Sequence, residues 1–355
     1  MKSLSLKEIF AAARLFIQNR IFLKLCRPAP ARLRLLYIGG YWRGPNDMVA
    51  QMLQGLRLTG ADVVDFNTDQ NQDALETDGV PYDMGTSGPV WLKWDRLLPL
   101  ILTLRPHAVI CNAGGLSFRP RDAARLRRLG VRLLGIALSD PAVYAPTTSK
   151  IAQNFDVFYS KDVECVEAYR RQGVTAYQLP TATNHVFFRP VPPREEYRCE
   201  VLILGALHAD RVDPVRALVR DFDTHVYGEN WDQAGVPSRG FVFGEDTLAA
   251  LNSTRMSIIF SRQVSGHQAL KVGIFDFLAA GCLVLTDENP QLAKYFEVGR
   301  EIVTFADTDD LLRKVRYYLD HPEEAEAIRR AGHEKVVGHY TWDKVWPAIL
   351  TNLFK

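Results

Sequence analysis

Short, almost unbroken apolar runs alternate along the chain with longer segments whose apolar positions recur every three or four residues. Residues 33–38, 61–66, 107–111, 131–138 and 157–159 read as buried strands, and 45–58, 91–104, 120–129 and 163–172 as helices. The pattern breaks at FRPVPPREEYR (residues 188–198), where three prolines and several charges predict a linker. It then restarts, with strands over 199–204, 224–227, 256–260 and 283–286. Helices are expected around 215–221, 247–252 and 274–280, and a final helical stretch over 309–333 is punctuated by Gly299 and Pro322. Strands that are apolar on both faces and separated by helices predict parallel sheets covered on both sides.

The fold class is therefore α/β, with two Rossmann-like doubly wound domains facing each other across a cleft. Ligands of such sheets bind beyond the carboxyl ends of the strands, which places the expected site in that cleft. The expected organisation is a basic amphipathic N-terminal helix over 1–30, a first domain over 31–187 and a hinge over 188–198. A second domain over 199–339 follows, and a helix over 340–355 crosses back to the first.

The length of 355 residues accommodates two such domains, and 47% hydrophobic residues suit buried cores. A formal charge of +2 argues against a surface devoted to nucleic-acid phosphates. The five cysteines (Cys26, Cys111, Cys165, Cys199, Cys282) are widely spaced, which favours a reducing compartment over a disulfide framework. Through Arg34, eight basic residues (Lys2, Lys7, Arg14, Arg20, Lys24, Arg27, Arg32, Arg34) face one acid, Glu8. Two readings of this first helix stay open. It packs on the body of the protein, or it lies on anionic lipid with Phe10, Phe16, Ile17, Ile21 and Phe22 inserted.

The second half carries KVGIFDFLAAGCLVLTDENPQLAKYFEVGREIVTF, followed by a charged helical tail, with LPTATNHVFFRP and VLILGALHADRVDPVRAL upstream. These segments resemble the CgeB-like (spore-maturation protein-like) glycosyltransferases of GT-B fold. The resemblance extends over 177–345 in motif and over 33–176 at the level of fold. It implies a glycosyltransferase of the metal-independent GT-B type, with a UDP- or GDP-sugar as donor and no covalently bound cofactor. The acceptor it implies is a glycan, lipid, protein or small molecule.

By the same resemblance, Asp276 binds the ribose hydroxyls, and Arg211, Lys271 and the Gly205 loop meet the diphosphate. Asp276 is one methylene shorter than the glutamate most relatives carry. Gln268 stands where the retaining pattern has its first glutamate, which leaves the stereochemical outcome open. His267, beside Gly266, is a candidate contact to the donor sugar or an ordinary loop histidine. Arg262 is a further diphosphate candidate or a surface residue.

In the first half, Gly39 and Gly40 end a strand as a phosphate-approach loop or a tight turn. Asp140 is a base toward the acceptor or a structural cap. Asp307, Asp309 and Asp310 are read as helix capping rather than a metal-binding DxD motif. The Arg119, Arg121, Arg125, Arg127 and Arg128 cluster reads as a solvated face or an anion-recognising one. Other functions in view are a sugar-nucleotide epimerase or hydrolase and a catalytically silent binding protein. The expected location is cytoplasmic, or peripheral at the inner membrane face through residues 1–28, without nucleic-acid partners.

Overall fold

A computed structural model describes residues 5–25, 30–41, 47–79, 88–112, 115–208, 211–261 and 270–355. The chain divides into two units, Met1–Pro180 with Trp342–Lys355, and Thr181–Thr341. Residues 188–198 fall inside the second unit.

The first unit holds β1 (Arg34–Gly39), β2 (Asp62–Asn67), β3 (Leu75–Thr77), β4 (Val90–Leu92), β5 (Ala108–Asn112), β6 (Leu116–Phe118), β7 (Arg132–Ala137), β8 (Val157–Ser160) and β9 (Ala176–Gln178). Six of these form a parallel sheet in the order β2-β1-β5-β7-β8-β9. The run RLLYIG makes a central strand because Leu36 sits between Val64 and Val109 and is covered on both faces.

A small sheet, β3-β4-β6, was not legible as such. Residues 91 and 92 read as the start of a helix, but Val90, Trp91 and Leu92 pair with β3 and β6, and the helix begins at Trp94. Three-residue strands are too short for their period to register.

The last helix, Trp342–Leu353, belongs to the first unit. Trp346 is fully buried there and its indole N–H donates to the Met52 carbonyl at 2.8 Å. The helix Met48–Leu58 meets it at Gly55, where a Cβ would stand 2.1 Å from that of Trp342.

The N-terminal helix spans Leu6–Leu25 and differs from the amphipathic expectation. Its apolar residues fall on two faces: Ala11, Ala12 and Leu15 pack against the core, whereas Leu6, Ile9, Phe10, Ile17 and Ile21 are exposed.

Under the sheet, buried His107 accepts from the Arg34 backbone N–H at 3.0 Å through Nδ1. Burial first, and the Arg34 charge second, push its pKa down from 6.5 to about 4. The unfolded chain therefore binds a proton that the folded one refuses. Stability from this site is complete above pH 6.5 and drains away as pH falls toward 4. At about 1.4 kcal/mol per pH unit the loss is roughly 3 kcal/mol. Urea midpoints at pH 7 and 4.5 should fall more for the wild type than for His107→Gln; equal slopes would refute the assignment.

The second unit holds β10 (Cys199–Leu204), β11 (Thr224–Tyr227), β12 (Thr254–Ile259), β13 (Val284–Asp287) and β14 (Val303–Phe305), all parallel, in the order β11-β10-β12-β13-β14. The helices Val272–Ala279 and Pro322–His339 pack together, so closely that a Cβ on Gly332 would lie 2.8 Å from Cδ2 of Leu278. The helices Val212–Asp221 and Thr308–Asp320 contribute to a second apolar cluster. The expected single stretch over 309–333 is two helices, with Pro322 opening the second, where its missing N–H costs nothing.

Candidate nucleotide site

The second sheet reverses its winding between β10 and β12. The chain leaves β10 to build β11 on one side and returns to place β12 on the other. A crevice opens at the carboxyl ends of such a strand pair, because the connecting segments depart in opposite directions. The loop after β10 carries Gly205 and Arg211, and the segment after β12 leads to Lys271 and the helix bearing Asp276. Four of the expected site residues therefore lie on the two connections that flank the switch point.

Gly205 is at φ +143°, and its N–H donates to the Tyr227 carbonyl at 2.9 Å. Its own carbonyl accepts the Trp231 indole N–H at 2.8 Å. Gly228 at φ +146° passes so near that a Cβ there would lie 2.1 Å from the Gly205 oxygen. Two glycines let the ends of β10 and β11 touch through backbone alone.

Arg211 precedes the helix Val212–Asp221 and turns back over this corner. Its Nη1 donates to the Ala206 carbonyl at 3.4 Å, and its guanidinium lies over the Phe260 ring, 5.7 Å from the centroid. A cation and the open N–H groups of a helix start are thus set side by side, a combination that favours an anion.

Lys271 takes the equivalent position before the helix Val272–Ala279. Asp276, in the second turn of that helix, is 5% exposed, and its Oδ1 accepts the Thr183 hydroxyl at 2.6 Å. Thr183 is itself fully buried, and its N–H donates to the Tyr340 carbonyl at 2.9 Å. Arg262, Gly266, His267 and Gln268 lie outside the described residues.

Two participants were missed. The Ser261 N–H and hydroxyl donate to the two carboxylate oxygens of Asp287 at 2.5 and 2.7 Å, clamping the end of β12 to the end of β13. Asp287 lies within the run that carries the family resemblance, but nothing along the chain points to its partner one strand away.

In the first unit Gly39 and Gly40 end β1 at the corresponding switch, between β1 and β5. Close packing explains both. A Cβ on Gly39 would lie 2.6 Å from the Asn112 carbonyl oxygen, and one on Gly40 would lie 2.7 Å from the Asp69 carboxylate.

Asp140 is 6% exposed and accepts from Thr148, Ser160 and Tyr169 hydroxyls at 2.8, 2.7 and 2.8 Å. Burial raises its pKa and the hydroxyl donors oppose the rise. Both carboxylate oxygens accept internal donors, which fits the structural alternative of the two readings, with Asp140 holding the turn after β7 together.

The aspartates at 307–310 follow the capping expectation. Asp307 accepts the Asp310 N–H at 2.8 Å, and Asp310 pairs with Arg313 and Lys314. Among the described residues no group of three or more His, Cys, Asp or Glu is arranged to hold a metal. In the arginine cluster, Arg119 pairs with Glu76 and Asp78, Arg125 with Asp122, and Arg127 with Asp156.

Two parallel α/β units, each with its strand ends at a switch point, make this a GT-B fold. Residues 209–351 match the family model described as glycosyl transferase-like. Spore protein CgeB of Bacillus subtilis (strain 168) is 21% identical over 59% of this chain and 71% of its own. Sucrose-phosphate synthase from Thermosynechococcus elongatus superposes with a TM-score of 0.55 at 14% identity, covering 91% of this chain and 98% of that one. Anabaena Alr3699/HepE, solved in complex with UDP and glucose, gives 0.57 at 8% identity over 91% and 99%. Family match, relative and fold together support a CgeB-like GT-B glycosyltransferase, and sugar transfer as its activity.

Proposed function

We propose that the second unit holds a nucleoside-diphosphate sugar at the β10/β12 switch point and that the enzyme transfers the sugar to an acceptor hydroxyl. In this reading Asp276 accepts hydrogen bonds from the ribose hydroxyls, a task suited to a carboxylate. Arg211, Lys271 and the backbone near Gly205 meet the diphosphate. As the bond to the sugar breaks, negative charge grows on the leaving diphosphate, and the two cations offset it without a metal ion.

The observation that carries this reading is the sheet order. It brings the Arg211 loop and the Lys271 helix start to neighbouring strand ends, although 60 residues separate them in the chain. UDP-glucose is the first donor to test, because the Anabaena structure was solved with UDP and glucose. Calorimetric titration with UDP should give an affinity that falls about tenfold in Lys271→Ala and again in Arg211→Ala, one charge-assisted hydrogen bond each. Unchanged affinity in both variants would remove the diphosphate assignment.

A further inference from the structure

A helix with apolar residues on two opposite faces has an apolar surrounding to find for each. The N-terminal helix Leu6–Leu25 is of this kind, and the first unit covers only one of the two faces. Ser5 and Glu8 fix its start as a capping box: the Glu8 carboxylate accepts the Ser5 N–H at 2.7 Å, and the Ser5 hydroxyl accepts the Glu8 N–H at 3.3 Å.

The inner side is anchored firmly. Leu15 is fully buried, and Asn19 is buried with its side-chain amide donating to the Pro106 and Gly130 carbonyls at 3.1 and 3.3 Å. The outer side presents Leu6 and Phe10 at 74% exposure, Ile17 at 55% and Ile21 at 52%, with Ile9 and Phe16 beside them. At 100° per residue these side chains form one stripe along the helix.

Two occupants fit an apolar stripe in general: another protein face or a lipid surface. The charges flanking this one decide between them. Lys7 and Arg14 are exposed along one edge of the stripe, and Arg20, between Ile9 and Leu6 around the helix, lies over the Phe16 ring, 5.0 Å from its centroid. The first 34 residues carry the eight basic groups named above against the single Glu8, which the capping box engages. Large apolar side chains bordered by cations match the boundary between acyl chains and anionic headgroups. Among the described residues no helix is long and apolar enough to cross a membrane, so the contact would be one of lying on the surface.

We infer that this helix docks the protein on an anionic lipid surface, with Leu6, Phe10, Ile17 and Ile21 entering the acyl boundary and Lys7, Arg14 and Arg20 meeting headgroups. Phe22, expected at the sequence level among the inserted residues, lies where no side chain is described. The inference is independent of the nucleotide site. The anchoring through Leu15 and Asn19 orients the stripe rigidly outward, so docking needs no unfolding of the first unit.

The test is co-sedimentation of the full chain with large unilamellar vesicles, either about one-third phosphatidylglycerol in phosphatidylcholine or phosphatidylcholine alone. The wild type should partition at least tenfold more strongly onto the anionic vesicles and lose that preference at high salt. Phe10→Glu with Ile17→Glu should abolish binding, and Lys7→Gln with Arg14→Gln should weaken it by about tenfold or more. All four side chains are exposed, so thermal melts and UDP affinity should stay unchanged in both double variants. Wild-type indifference to anionic vesicles would overturn the inference, and so would full binding by the Phe10/Ile17 variant. A concentration-dependent dimer in light scattering that the same variant dissolves, without vesicle binding, would give the stripe to a second copy of the chain instead.

Discussion

Gly228→Ala is expected to destabilise the second unit by roughly 3–5 kcal/mol and to weaken UDP binding at the same time. Two separate penalties meet at this position. At φ +146° an L side chain strains the backbone. The added methyl would also lie 2.1 Å from the Gly205 oxygen and 2.5 Å from its carbonyl carbon, neither of which can rotate away. The ends of β10 and β11 would have to separate, pulling Gly205 from the Trp231 indole and disturbing the loop that places Arg211.

Gly235→Ala is the control, since Gly235 is also at positive φ, +66°, but has nothing within 4 Å of its missing Cβ. It should cost about 1 kcal/mol, the backbone term alone, and leave UDP affinity unchanged. Calorimetric melting of both variants separates strain from collision. A Gly228→Ala protein no less stable than Gly235→Ala would show that the two strand ends do not touch in solution.

Most strands of the two large sheets were legible, because a strand buried on both faces announces itself as an unbroken apolar run; their order was not. β1 and β10 are of that kind, each with helices beyond its ends. What escaped was structure made by pairing across the chain. β3, β4 and β6 are three residues each, and Trp91 looks helical until Glu76 and Ser117 are placed opposite it.

The same limit applied to the site. Arg211, Lys271 and Asp276 stand in motifs that can be read in one direction along the chain. The Ser261–Asp287 clamp joins residues 26 positions apart, and Thr183 reaches Asp276 across 93. Asp140 shows the same limit. Its position after a strand suggested chemistry, and only the convergence of Thr148, Ser160 and Tyr169 revealed that its oxygens are occupied. The N-terminal helix erred toward simplicity: counting basic residues made it amphipathic, whereas its apolar residues point both inward and outward.

Asp276 carries the second large prediction, because two roles compete for one carboxylate. Its Oδ1 accepts the Thr183 hydroxyl inside the unit, which by itself is a structural bond that ties residues 181–184 to the helix Val272–Ala279. A ribose role requires that the carboxylate also be felt by the nucleotide. Asp276→Ala should then lower UDP affinity about a hundredfold, the loss of two charge-assisted hydrogen bonds, beyond a stability loss of roughly 1–3 kcal/mol from leaving the Thr183 hydroxyl buried without its acceptor.

Thr183→Val separates the two roles, since it removes the internal bond and leaves the carboxylate in place. If Asp276 binds ribose, Thr183→Val should lower the melting temperature yet keep UDP affinity within about threefold, while Asp276→Asn keeps the shape and loses about tenfold in affinity with the charge. A purely structural Asp276 reverses this: Thr183→Val and Asp276→Asn would then shift the melt alike, and UDP would bind equally well to both. Because Arg211 and Lys271 stand on different connections from Thr183, that outcome would remove the ribose assignment and leave the diphosphate contacts to be judged on their own titrations.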